Sequence, residues 1–158
     1  MKALKIYTMA FISITRLKVK SILYILKFLV ANEASVKDLV KIKGFLKGKE
    51  LIDKNLTFWT LTMWTDDISM KTFRNSAPHR KAMQNLPTWC HEASYFHWTQ
   101  PGTDLPAWHV ASERLISEGK LTKVRNPTPR HLANTFPPIK WTKLERVFKP
   151  KPVSNVTA

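Results

Sequence analysis

The sequence predicts an α+β fold of the ferredoxin-like type, a split βαβ plan with helices packed on one antiparallel sheet. Segments of period 2 and period 3.6 follow one another as strand, helix, strand, strand, helix, strand, with one further helix after them. A hairpin signal separates the second and third strands. The chain's 158 residues are enough to bury one core without disulfides or metals.

The first strand is MAFISITRL, residues 9–17, which places Phe11, Ser13 and Thr15 on one face and Ala10, Ile12 and Ile14 on the other. The isoleucine face is expected to meet the helices. Ser21 suits the N-cap of a helix whose apolar positions Ile22, Ile25, Leu26, Leu29 and Val30 keep the helical period, running to about Lys43. After Gly44, two strands flank a turn at Asp53 to Asn55. The second sets Phe58, Thr60, Thr62 and Trp64 on one face and Trp59, Leu61 and Met63 on the other. A face mixing hydroxyls with large aromatics suits a cavity better than a dry core.

Thr65 or Asp66 caps the next helix, whose acidic start agrees with the helix dipole. A break near Asn75 to Ala77 precedes a second short helix from Pro78 to about Leu86, so His79 falls in a first turn. HEASYFHWTQ is the fourth strand, with Tyr95, His97 and Thr99 sharing a face. The added helix has Asp104 as its cap, a Trp108, Ala111, Leu115 stripe and Gly119 as its stop. Residues 1–124 thus form the domain. Residues 125–158 read as a Pro-rich basic tail without regular structure, broken by Pro127, Pro129, Pro137 and Pro138. It wraps the domain through Phe136 and Trp141, and its last ten residues are expected to be loose.

The net charge is +15, and residues 120–158 hold nine Lys or Arg against the single acid Glu145. Such a balance attracts polyanions in general, but no nucleic-acid motif accompanies it, so no specific nucleic acid is expected. VKSILYILKFLVAN is too short an apolar run to span a bilayer, and an amphipathic helix lying on a membrane is the one membrane reading left to it. One cysteine, Cys90, points to a reducing cytoplasm. With four glycines and no Gly-rich phosphate loop, nucleotide cofactors are disfavoured. Chemistry without an organic cofactor, or binding alone, is the expectation.

GFLKGKELIDKNLTFWTLTMWTDDISMKTFRNSAPHRKAM resembles the central part of the antibiotic biosynthesis monooxygenase superfamily. The shared pattern is a Gly-Phe opening, a strand ending in Trp, an acidic helix start, and a Phe-Arg-Asn-Ser segment before a histidine. The resemblance covers roughly residues 9–100 and implies a dimeric α/β barrel formed by a homodimer. It implies less about chemistry, because the superfamily includes cofactor-free oxygenases, haem-degrading enzymes, isomerising members and proteins with no known activity. Its haem-degrading branch carries a tryptophan and an iron-binding histidine at places that fall here on Phe73 and Met83, and neither residue matches.

His79 is the sharpest catalytic candidate, since a helix N-terminus disfavours the imidazolium and keeps a neutral base near pH 7. It is equally suited to a capping role. His97, on the Tyr95 face, is either a cavity acid/base or a satisfied core group. Arg74 and Asn75 are candidates for stabilising developing negative charge, or for ending and capping a helix. Thr60, Thr62, Trp64, Tyr95 and Phe73 are the expected substrate contacts. His91 and His109 form no metal-ligand pattern with each other or with His79. The functions that fit are a monooxygenase-like oxidoreductase on a small aromatic or polyene substrate, a cofactor-free isomerase or cyclase, and a ligand-binding accessory protein whose tail recruits an anionic partner.

Overall fold

The computed structural model describes residues 8–152. Its elements in order are β1 (Met9–Val19), α1 (Ile22–Leu39), β2 (Phe45–Ile52), β3 (Thr57–Trp64), α2 (Asp67–Arg74), α3 (Ala77–Trp89), β4 (Cys90–Pro101), α4 (Trp108–Glu118), β5 (Lys120–Leu121), α5 (Pro129–Ala133) and β6 (Glu145–Phe148). The strands form one sheet in the order β5-β4-β1-β3-β2-β6, every pair antiparallel. Its four central strands are the ferredoxin-like sheet, with α1 and the α2–α3 pair as the crossing helices.

Local chemistry accounts for the boundaries. The Ser21 hydroxyl accepts the Leu23 N–H at the start of α1. The Asp66 carboxylate accepts the Ser69 N–H at the start of α2. Gly44 takes a φ of +91°, and a Cβ there would lie 2.2 Å from the Ser69 hydroxyl oxygen, so the turn into β2 requires glycine. Between β2 and β3 the buried Asp53 carboxylate accepts N–H groups of Asn55 and Thr57 at 2.8 and 3.1 Å and the Trp59 indole at 3.1 Å. One acid thus satisfies the turn and ties it to the core.

Strand alternation divides the interior into two layers. Ile12, Ile14, Leu61 and Met63 are completely buried with Trp59 and Leu51, under Trp108, Ala111 and Leu115 of α4. The opposite face, carrying Ser13, Thr15, Thr60, Thr62, Tyr95 and His97, lies beneath α1, α2 and α3. This corrects the expected facing. The isoleucine layer meets the added helix, while the crossing helices cover the hydroxyl face. Within the chain, α4 covers one face and α1–α3 the other.

α1 also sits differently from its periodic reading. Ile22, Leu26, Leu29 and Val30 are exposed, and the helix turns Phe28, Ser35 and Leu39 inward. It ends at Leu39 rather than near Lys43. α3 continues through Pro87 to Trp89. α4 starts after Ala107, which caps it without a side-chain hydrogen bond, and Asp104 is not its cap: the Asp104 carbonyl accepts from Gln100 and its exposed carboxylate lies 3.6 Å from Lys47.

The tail contains the regular structure that its prolines argued against. Thr128 caps α5 through its hydroxyl, and β6 pairs with β2 from Gly48 to Leu51. Phe136 is buried, whereas Trp141 is exposed. Of the last ten residues, 149–152 are described, and the Lys151 N–H donates to the Val40 carbonyl. The expectation of looseness for 153–158 lies outside the described residues.

A buried ion pair joins the tail to the sheet. The Arg16 guanidinium donates to Glu92 at 2.7 Å, Thr128 donates to the other carboxylate oxygen at 2.8 Å, and Phe136 covers Arg16 with its ring centroid 4.2 Å from the guanidinium carbon. Burial opposes ionisation of Glu92, but the bonds from Arg16 and Thr128 outweigh it and hold the carboxyl below its ordinary range. Glu92→Leu strands the buried guanidinium and is expected to cost roughly 3–5 kcal/mol in urea denaturation. Arg16→Met combined with Glu92→Leu should recover most of that loss, and a double variant as unstable as the single one would contradict this account.

Candidate functional site

The hydroxyl face and helices α1–α3 enclose a cavity of about 360 Å³, within the size range of small-molecule sites. Its floor consists of two cross-strand rows set by register. His97, Ser13 and Thr62 form one row, and Tyr95, Thr15 and Thr60 the other. α1 contributes Phe28, Ala31, Asn32 and Ser35, α2 contributes Met70, Phe73 and Arg74, and α3 contributes His79, Met83 and Leu86. The walls are largely apolar, and the polar groups converge on the floor and at the α2–α3 junction.

The break at Asn75–Ser76 places His79. Its Nδ1 is 3.0 Å from the Arg74 carbonyl oxygen, and since a carbonyl only accepts, Nδ1 carries the proton and Nε2 is the basic nitrogen of the neutral ring. The ring packs 4.7 Å from Phe73 between centroids. Burial lowers its pKa from the ordinary histidine value, as does the charge of Arg74, against the opposing bond to the Arg74 carbonyl. His97 lies between Phe11 and Tyr95, at centroid distances of 5.4 and 5.3 Å. Burial, followed by the cations Arg74, Lys120 and Lys71, lowers its pKa too. The cavity therefore holds two imidazoles that are neutral near pH 7.

Of the residues singled out in the sequence, Thr60, Thr62, Phe73, Arg74, His79, Tyr95 and His97 line this cavity together. Trp64 stands behind the floor, fully buried, donating its indole N–H to the Thr62 hydroxyl at 2.9 Å and stacking on Phe73. It orients rather than contacts. Asn75 is the exposed C-cap of α2 and lies outside the lining. Phe73 and Met83, the places where the haem-degrading branch differs, both face the cavity.

The α1 wall escaped sequence reasoning because its stronger apolar stripe, Ile22 to Val30, points outward, while the lining face mixes Phe28, Val36 and Leu39 with Ala31, Asn32 and Ser35. Cys90 is fully buried and its thiol is pushed up to about 12 by burial, which removes it as a nucleophile. His131, also unnoticed, lies on α5 of the tail, is buried against β4 and accepts the Ala93 N–H at Nδ1, 3.3 Å away. Among the described residues, no group of three or more His, Cys, Asp or Glu side chains is placed to hold a metal ion.

These features define a class of fold: a ferredoxin-like antiparallel sheet with a partly open cavity beneath its crossing helices. No family model and no curated protein matches the sequence. Among solved structures the chain is similar to a Nitrosomonas europaea protein named for antibiotic biosynthesis monooxygenase, with TM-score 0.51 and 13% identity over 61% of this chain and 91% of that one. It is also similar to a Shewanella oneidensis protein (0.54, 8%, 60% and 93%) and to a conserved protein from Methanosarcina mazei Go1 (0.52, 13%, 58% and 92%). The chain shares the fold of antibiotic biosynthesis monooxygenase-like proteins. About two fifths of it lies outside each match.

His79, His91, His97 and His131 all have folded-state pKa values below the ordinary 6.5, with burial the first cause in each. Below that pH the unfolded chain binds more protons than the folded one, so stability falls as pH drops through this window. Imidazole NMR titration should place the His79 and His97 midpoints below 6.5. Denaturation should show lower stability near pH 5 than near pH 7. Midpoints at or above the ordinary value would contradict the burial described.

Proposed function

We propose that the protein is a monooxygenase-like oxidoreductase that takes a small apolar, aromatic or polyene substrate into the α1–α3 cavity and works without an organic cofactor. The observation that carries this reading is the pairing of apolar walls with two neutral histidines in one cavity.

His79 is the better base, because the Arg74 carbonyl fixes its tautomer and leaves Nε2 unprotonated. His97 and the Ser13, Thr15, Thr60 and Thr62 hydroxyls supply partners for a phenolic or carbonyl oxygen on the substrate. Proton removal by His79 raises the electron density of a phenol, so that the substrate itself can reduce dioxygen. One oxygen atom enters the substrate. The other leaves as water, with two electrons and two protons drawn from the substrate. Arg74 provides a cation at the cavity wall for the negative charge that develops.

The solved relative from Nitrosomonas europaea bears a monooxygenase name, which is consistent with this reading. A reducing cytoplasm fits the lone buried Cys90. No helix among the described residues is long and apolar enough to cross a membrane.

The test is oxygen uptake with a panel of apolar phenols and polyenes, alongside native mass spectrometry for a co-purified small molecule. His79→Gln removes the base and is expected to lower kcat by about 10²–10⁴-fold. His97→Gln should act mainly on KM. Turnover without oxygen uptake would move the assignment to an isomerase, and undiminished turnover in His79→Gln would remove His79 as the base.

A further inference from the structure

The cavity does not account for α1's outer face. Ile22, Leu23, Leu26 and Val30 are 81, 80, 72 and 65% exposed, and Leu29 joins them at 39%. At 100° per residue these five occupy one stripe roughly 120° wide, opposite the side that carries Phe28, Ala31 and Ser35 over the cavity. Leucines scattered singly over a surface need no explanation, but a contiguous ridge of five on one helix marks a binding surface.

Charge says what binds there. Lys18 and Lys20 lead into the ridge, Lys27 flanks it, and Lys37 lies beyond its C-terminal end. α1 contains no acid before Glu33, and that carboxylate is already held by Arg146 at 2.7 Å. An apolar stripe with a basic margin is the pattern of a helix lying in a membrane interface, with its apolar side chains among acyl chains and its lysines at anionic headgroups. A second copy of the chain fits less well. A two-fold contact of two such ridges would set their lysines against one another on molecules that each carry +15.

We propose that α1 docks the protein on an anionic lipid bilayer through the Ile22–Val30 ridge, lying parallel to the surface with the cavity on its far side. The docking is independent of the proposed reaction, since its test reads lipid binding alone.

The test is flotation of the full chain with phosphatidylcholine vesicles, with and without phosphatidylserine. The protein should float with the serine-containing vesicles at low salt, and less with phosphatidylcholine alone or at high salt. Leu26→Glu with Val30→Glu should cut the bound fraction about tenfold or more. Lys20→Gln and Lys27→Gln should each weaken binding to anionic vesicles by roughly fivefold. Thermal unfolding should be unchanged in all variants; Leu23→Ser, a milder change on the same ridge, keeps the test readable if the double glutamate variant is less stable. Wild-type protein that fails to float overturns the proposal, as does flotation undiminished by the ridge variants. A wild-type dimer that becomes monomeric in Leu26→Glu/Val30→Glu, with no vesicle binding by either, assigns the ridge to a second copy instead.

Discussion

Successive side chains of a β-strand point to opposite faces, and the structure depends on how β1 and β3 use that constraint. In β1, Ile12 and Ile14 alternate with Ser13 and Thr15; in β3, Leu61 and Met63 alternate with Thr60 and Thr62. Register then matches like with like, Ile14 beside Leu61 and Ser13 beside Thr62. The result is a sheet with one side that is apolar apart from the Arg16–Glu92 pair and one polar side, both covered. The dry side supplies cohesion through α4, and the polar side can carry a cavity because its hydroxyls accept partners that a closed apolar core would exclude. A one-residue slip of either strand would exchange the two sides and destroy both.

The tail belongs to this arrangement rather than being appended to it. Trp108 of α4 donates its indole N–H to Glu145 at the start of β6, Phe136 caps the Arg16–Glu92 pair, and Phe148 packs with Phe45 and Trp64. Residues 128–148 thus close the dry side and tie it to the rim of the polar side. The buried ion pair costs desolvation energy, and its geometry places the tail at one position on the sheet.

The succession of the first four strands and their helices, the hairpin at Asp53, the α2–α3 break and the residues of β3 and β4 that line the cavity were legible because each rests on local chemistry: alternation, capping and turn residues. Which face met which helices was not legible. Alternation establishes that two faces exist without saying what covers them, and an isoleucine face looks like the one any helix would seek. The outward stripe of α1 misled for the same reason, since periodicity finds an apolar stripe but not the direction it points. The roofing face of α1 dilutes Phe28, Val36 and Leu39 with Ala31, Asn32 and Ser35, which makes its hydrophobic signature weaker than that of the outward stripe. For α5 the signal was present, a Thr128–Pro129 start and an Asn134 stop in the left-handed conformation, but the density of prolines around it obscured it.

The pairing of β6 with β2 joins residues near 50 to residues near 147, and it has a consequence for the order of assembly. When the chain emerges from the ribosome, β1 to β4 can pair while the partners of the dry face and of the β2 edge are still unsynthesised. For that interval Ile12, Ile14, Leu61 and Met63 confront water, and β2 presents an open row of backbone donors and acceptors. The sheet is therefore complete only when α4 and then β6 have been added, and the contacts that finish the molecule are among those with the greatest loop-closure entropy.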